Sequence, residues 1–173
     1  MIDKGYADAD RVCIYGGSFG GYASLMAPAR APGLYKCAFG YVGLYDAQIQ
    51  FDESDTGQSE SGRRYLNRAF GSTKAEQAAM SPITYADRID LPVYLAAGAR
   101  DFRCPPEHTE AMYAALKAGG NEPEGMIIQS GEMHGFYKEE NNERLYKEML
   151  AFFDRHIGPE GRVDVRPLEV ANK

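Results

Sequence analysis

Residues 11–22 read Arg11-Val12-Cys13-Ile14-Tyr15-Gly16-Gly17-Ser18-Phe19-Gly20-Gly21-Tyr22. A short apolar run leads into Gly-x-Ser-x-Gly, and a stretch rich in Ala, Leu and Met follows. Strand, tight serine turn and helix is the context that a nucleophile elbow requires. On so sharp a turn, side chains flanking the serine would collide with strand and helix. Glycines at 16 and 20 are expected to remove that collision and to permit unusual backbone angles. The serine hydroxyl would then stand exposed at a helix N-terminus, where developing negative charge is favoured. A glycine-rich loop without chemistry has the same composition, so the reading depends on partners elsewhere in the chain.

The chain has 173 residues, enough for one domain that buries roughly 70% of its unfolded surface. Net charge is −6 with both signs interspersed and no Lys/Arg cluster, which argues against nucleic acid as a partner. No apolar run approaches the roughly 20 residues of a membrane span. Met1 to Tyr6 lacks the apolar core of a signal peptide, and location is left open between cytoplasm and periplasm. Three cysteines, Cys13, Cys37 and Cys104, show no Cys-x-x-Cys spacing. Cys13 and Cys37 fall in apolar runs and are expected to be small buried residues rather than a disulfide framework. None has a histidine beside it in a motif, so a cysteine nucleophile is not expected. Three histidines without clustered ligands give no basis for a metal site, and no cofactor is expected.

Four apolar runs read as buried strands: Val12 to Tyr15, Cys37 to Val42, Val93 to Ala97 and Met126 to Gln129. They alternate with helical stretches, the signature of parallel strands joined by crossovers. Helices are expected from Phe19 to about Arg30, from Glu107 to Lys117 after Pro105-Pro106, and from Glu139 to His156. The last carries Leu145, Met149, Phe152 and Phe153 on one face and stops at Gly158-Pro159. Residues 1–158 form the folded portion, and 159–173 read as a polar tail. Residues 44 to 90 make a long excursion between the second and third strands. Asp52 to Gly62 reads as an exposed loop, while Arg63 to Phe70 and Thr73 to Met80 read as helices. Lying after a strand's C-terminal end, the excursion is either a wall of a substrate pocket or a packed connector.

A serine nucleophile needs a base for its proton and a carboxylate to orient that base. On this fold the chain order is serine, acid, histidine. His108 falls in a helix of surface character and is expected to be exposed. His156 falls in the last turn of the final helix, where a cation complements the dipole. His134 occupies Gly131-Glu132-Met133-His134-Gly135-Phe136, a loop just after the fourth strand, where open α/β sheets build their sites. The loop after the third strand runs from Ala97 to Pro105, and Asp101 is its only carboxylate. Asp87 and Asp90 precede that strand and would lie at the opposite end. Ser18, Asp101 and His134 are therefore the candidate nucleophile, acid and base.

Gly-Gly-Ser-Phe-Gly-Gly-Tyr, Ser81-Pro82-Ile83, Leu91-Pro92-Val93 through Gly98-x-x-Asp101-x-Arg103, and His134-Gly135-Phe136 together resemble the prolyl oligopeptidase family of serine peptidases. The likeness runs from about residue 1 to about residue 157 and is strongest to the acylaminoacyl-peptidase and dipeptidyl-aminopeptidase branch. It implies the same three catalytic residues. It also implies that the backbone N–H of Phe19 is one oxyanion donor. Tyr22 and Arg103 are candidate substrate contacts, Arg103 because it matches a position that some members use near the substrate. The implied fold is part of an α/β-hydrolase, about four parallel strands with flanking helices, and the implied substrate is a short peptide.

The chain departs from the family in length. Nothing in it resembles the β-propeller that caps the active site in members, and only ten residues precede Arg11, where the run into the serine begins. The loop supplying a second oxyanion donor and the first half of the hydrolase domain are therefore expected to be absent. The serine strand would become an edge, and a bare edge invites pairing. Homo-oligomerisation is expected, through the exposed edge of Val12 to Tyr15 or through the face left by the missing N-terminal half, without nucleic acid or membrane as partner. Three functions stay open: a peptidase, an esterase of the same fold, and a catalytically inert fragment that self-associates.

Overall fold

The computed structural model describes residues 2–159, so the polar tail lies almost wholly outside the described residues. Four parallel strands form one sheet in the order β1 (Cys13–Gly17), β2 (Cys37–Tyr41), β3 (Val93–Gly98), β4 (Gly125–Gln129). Space order follows chain order, with helices making the crossovers. These are α1 (Phe19–Arg30) between β1 and β2, and α5 (Pro106–Ala118) between β3 and β4. The excursion between β2 and β3 contains α2 (Ala47–Asp52), α3 (Glu60–Phe70), α4 (Lys74–Ala79) and a 3-10 segment, Pro82–Arg88. The chain closes with α6 (Glu139–Ile157).

The central strands are apolar throughout, yet they sort by the two-residue period of a pleated sheet. Ala38, Val93 and Leu95 face the core under α1 and α5, with Leu25, Met112 and Leu116. Cys37, Phe39, Tyr94 and Ala96 face the opposite core, against Leu145, Met149 and Phe152 of α6. The apolar face anticipated for the last helix is thus buried on the sheet. A third cluster lies beside the sheet, where Tyr22 and Met26 of α1 meet Leu44, Phe51, Leu66 and Phe70 of the excursion.

β1 is the outermost strand and pairs only with β2 among the described residues. Contrary to the expectation of unpaired cysteines, Cys13 and Cys37 are joined by a disulfide. The parallel register sets them opposite one another with Cα atoms 4.7 Å apart, within disulfide range. A sequence separation of 24 concealed the contact, because it depends on strand register.

Two further expectations change. His108 is fully buried rather than exposed. Its Nδ1 accepts from the backbone N–H groups of Tyr45 (3.2 Å) and Asp46 (3.3 Å). Nε2 therefore carries the proton and donates to Gln50 Oε1 at 3.0 Å. The interval read as an exposed loop is shorter than expected: α3 begins at Glu60, capped by Ser59, and Ser54 is fully buried with its hydroxyl donating to the Gln50 carbonyl at 2.5 Å.

Burial pulls the pKa of His108 from the ordinary 6.5 down to about 3. The unfolded chain binds this proton near 6.5, the folded chain only near 3. The histidine's contribution is therefore complete above about 6.5 and is lost as pH falls, by roughly 1.4 kcal/mol per pH unit until about 3. Urea unfolding between pH 7.5 and 4.5 should show the parent losing stability faster than His108→Gln, which has nothing to titrate there. A gap between the two proteins that does not change with pH would contradict this.

Candidate active site

The elbow follows from the close packing of β1 and α1. Ser18 adopts φ 57° and ψ −118°, a left-handed conformation unusual for a residue with a side chain. Its N–H donates to the Tyr41 carbonyl at 2.9 Å, which holds the turn against β2. A Cβ at Gly16 would overlap the backbone of Gly20, and one at Gly21 would come within 2.7 Å of Gly43 Cα. The second spacing requirement thus falls on Gly21 rather than on Gly20, where an added Cβ meets nothing within 4 Å.

Ser18, His134 and Asp101 come from the ends of β1, β4 and β3 on one rim of the sheet. Ser18 Oγ lies 2.9 Å from His134 Nε2, and His134 Nδ1 lies 2.8 Å from Asp101 Oδ2. The Asp101 side chain is fully buried and that of His134 is 30% exposed. The other carboxylate oxygen, Asp101 Oδ1, accepts the backbone N–H groups of Arg103 and Cys104, each at 2.9 Å. With its second oxygen so occupied, the carboxylate presents Oδ2 to the imidazole. Nδ1–H then donates to Asp101, leaving Nε2 free to accept the Ser18 hydroxyl proton.

The loop carrying His134 is fixed at several points. Glycines at 131 and 135 take φ +79° and +110°. Phe136 N–H donates to Tyr41 Oη at 2.6 Å. A Cβ on Gly98 would overlap the Met133 carbonyl, so glycine at that position lets the base loop lie directly over the end of β3.

Asp101 lies buried behind the imidazole, while Ser18 and His134 line a cavity of about 600 Å³, a size typical of small-ligand sites. Phe19, Leu44, Leu66 and Phe70 give it an apolar wall, and Phe102 and Met133 add to its lining. Of the two readings of the excursion, the structure favours the wall, since Leu44, Gln50, Asp55, Tyr65 and Leu66 all line the cavity. Arg103 lines it as well, paired to Asp55 at 2.8 Å. Tyr22 does not: it is 8% exposed and stacks beneath Phe19 with ring centroids 5.2 Å apart. Its place is in the core under the elbow, because α1 turns its side chain toward Phe70. Phe19 is the first residue of α1, so its N–H lies outside the intrahelical ladder.

Three contributors escaped the sequence reading. Cys104 is buried and lines the cavity. Burial, with the Asp101 carboxylate nearby, pushes its thiol up to about 12, so it stays protonated at neutral pH and does not compete as a nucleophile. Gln50 extends the His108 contact, its Nε2 donating to the Arg103 carbonyl at 3.0 Å. Glu132, two residues before His134, is a carboxylate only 1% exposed. A sequence signal existed for Gln50 and His108 only as a polar residue in an otherwise apolar helix face.

The sequence model described as the prolyl oligopeptidase family matches residues 1–160. The chain is 28% identical to dipeptidyl aminopeptidase BIII of Pseudoxanthomonas mexicana, over 91% of this chain and 23% of that protein. It is 25% identical to the acylamino-acid-releasing enzyme of Rattus norvegicus, over 91% of this chain and 22% of that one. Among solved structures, a puromycin-hydrolyzing peptidase of Mycobacterium tuberculosis superposes with a TM-score of 0.81 at 30% identity, covering 94% of this chain and 24% of its own. The acylaminoacyl peptidase of Pyrococcus horikoshii gives 0.80 at 25% identity, with 95% and 27% covered. The chain spans about a quarter of the length of these relatives.

Proposed function

We propose, since this chain belongs to the prolyl oligopeptidase family of serine peptidases, that it hydrolyses peptide bonds of short peptides through Ser18, His134 and Asp101 by way of an acyl-enzyme. The observation that carries the reading is the unbroken line of contacts from Ser18 Oγ through the imidazole to a buried carboxylate, 2.9 and 2.8 Å long, beside an apolar-walled cavity.

In the first half-reaction Ser18 Oγ attacks the scissile carbonyl carbon while His134 Nε2 takes the hydroxyl proton. Asp101 keeps the imidazole in its Nδ1–H tautomer and stabilises the imidazolium. Negative charge gathers on the carbonyl oxygen, where the Phe19 N–H at the start of α1 can donate to it. Collapse breaks the C–N bond, and the imidazolium gives its proton to the leaving amine. In the second half water takes the place of the amine: His134 removes its proton, the acyl–Ser18 bond breaks, and the proton returns to Ser18 Oγ.

The apolar wall suits a large uncharged side chain on the acyl side. Peptide amidocoumarins ending in Phe or Leu should be cleaved with kcat/KM about tenfold or more above those ending in Asp. Intact-mass analysis with a fluorophosphonate should place one adduct on the Ser18 peptide. Failure of both turnover and labelling would overturn the reading. Labelling with nitrophenyl-ester turnover, but without peptide turnover, would assign an esterase instead.

A further inference from the structure

Glu132 takes no part in the proton transfers above, yet it is a carboxylate 1% exposed within the base loop. Leaving such a group in the interior without partners would be costly. Glu132 is fully met: Oε2 accepts the Tyr137 N–H at 2.7 Å, and Oε1 accepts the Lys138 N–H at 3.1 Å and Asn141 Nδ2 at 2.5 Å. Burial works to raise its pKa, but the hydrogen bonds from Asn141, Tyr137 and Lys138 outweigh it, and the net direction is down. Its main-chain carbonyl accepts the Arg100 N–H at 2.9 Å, one residue before Asp101. The same residue therefore grips the descending arm of the base loop, the start of α6 and the acid loop. His134 sits within the span that these contacts close.

We propose that Glu132 is the positioning residue of the catalytic pair: its ionised carboxylate fixes the base loop so that His134 reaches Ser18 and Asp101 together. The requirement is for an acceptor with both oxygens free of hydrogen. All three partners are donors, and an amide in place of the carboxylate would turn its own N–H groups toward at least one of them. The loop would then have to shift, and displacements near 1 Å in a reacting group can cost about a hundredfold in rate. Substrate binding should change little, because the main apolar wall, Phe19, Leu44, Leu66 and Phe70, is built from α1 and the excursion, although Met133 and Tyr137 beside Glu132 also line the cavity. The inference rests on the proposed roles of Ser18, His134 and Asp101.

The test compares Glu132→Gln with the parent in three measurements. Fluorophosphonate labelling of Ser18 should slow by about ten- to a hundredfold. Affinity of an apolar hexapeptide, measured by calorimetry in a Ser18→Ala background, should stay within about threefold. The downfield proton resonance of His134 Nδ1–H, hydrogen-bonded to Asp101, should shift or broaden in Glu132→Gln while methyl dispersion is kept. Should Glu132→Gln fail to fold, Asn141→Ala removes one donor and leaves the carboxylate, and a smaller change in the same direction is expected. An unchanged labelling rate and resonance, or labelling and affinity falling together, would overturn the proposal. Absence of labelling in the parent would sink the peptidase reading, whereas the proton resonance would still decide the role of Glu132.

Discussion

Ser18→Ala and His134→Ala should each bring peptide turnover down by about a millionfold, to the detection floor of the assay. The size of the effect follows from shared work. In the proposed reaction Ser18 supplies the electron pair that forms the new bond, and the imidazole 2.9 Å away makes that pair available by removing the proton. Neither group has an alternate nearby: Cys104 lines the same cavity, but burial keeps it a thiol, and His108 is enclosed against α2 and fully bonded there. The double variant should be no slower than either single one, since the residues act as a unit. Purified variants assayed by turnover and fluorophosphonate labelling provide the check. Labelling of His134→Ala within tenfold of the parent would remove the imidazole from its role.

Asp101→Asn should cost about ten-thousandfold at neutral pH with little change in the fold. The local geometry says why. Two backbone N–H groups, from Arg103 and Cys104, hold Oδ1 at 2.9 Å. An asparagine must offer them its carbonyl oxygen, which swings its NH₂ toward His134 Nδ1. That nitrogen must then become an acceptor, the ring proton moves to Nε2, and the hydroxyl of Ser18 loses its base. Steady-state kinetics at pH 7.5 measure the loss, and thermal melting within a few degrees of the parent shows that the sheet is intact. A drop of less than tenfold would mean that the carboxylate does not set the tautomer.

Much of this was legible in the chain because it is local. The elbow announces itself through glycine spacing between an apolar run and a helix, and α1 begins and ends where Phe19 and the approach to Pro32-Gly33 put it. Asp101 and His134 could be chosen because each lies in a short loop after a strand, and parallel strands bring such loops to one rim. What stayed hidden is what depends on register and enclosure. Cys13 and Cys37 meet only because β1 and β2 pair in one particular alignment. His108 looked like a surface residue because its chain neighbours Glu107, Thr109 and Glu110 are polar, while its partners Tyr45, Asp46 and Gln50 arrive from about 60 positions away. Helix α2 is six residues long, too brief for periodicity to mark it. Glu132 carried no signal beyond lying near His134, since its burial is a property of the closed loop.

The left-handed backbone at Ser18 has a consequence for how the sequence can change. A residue with a side chain held in such a conformation costs on the order of 1–3 kcal/mol, against a typical net domain stability of roughly 5–15 kcal/mol. Glycine would occupy the same angles without that cost. Drift toward firmer folding, left to itself, would pass through glycine at position 18 and arrive at a steadier sheet that is chemically silent. The hydroxyl at that corner is thus a feature that stability alone would erase.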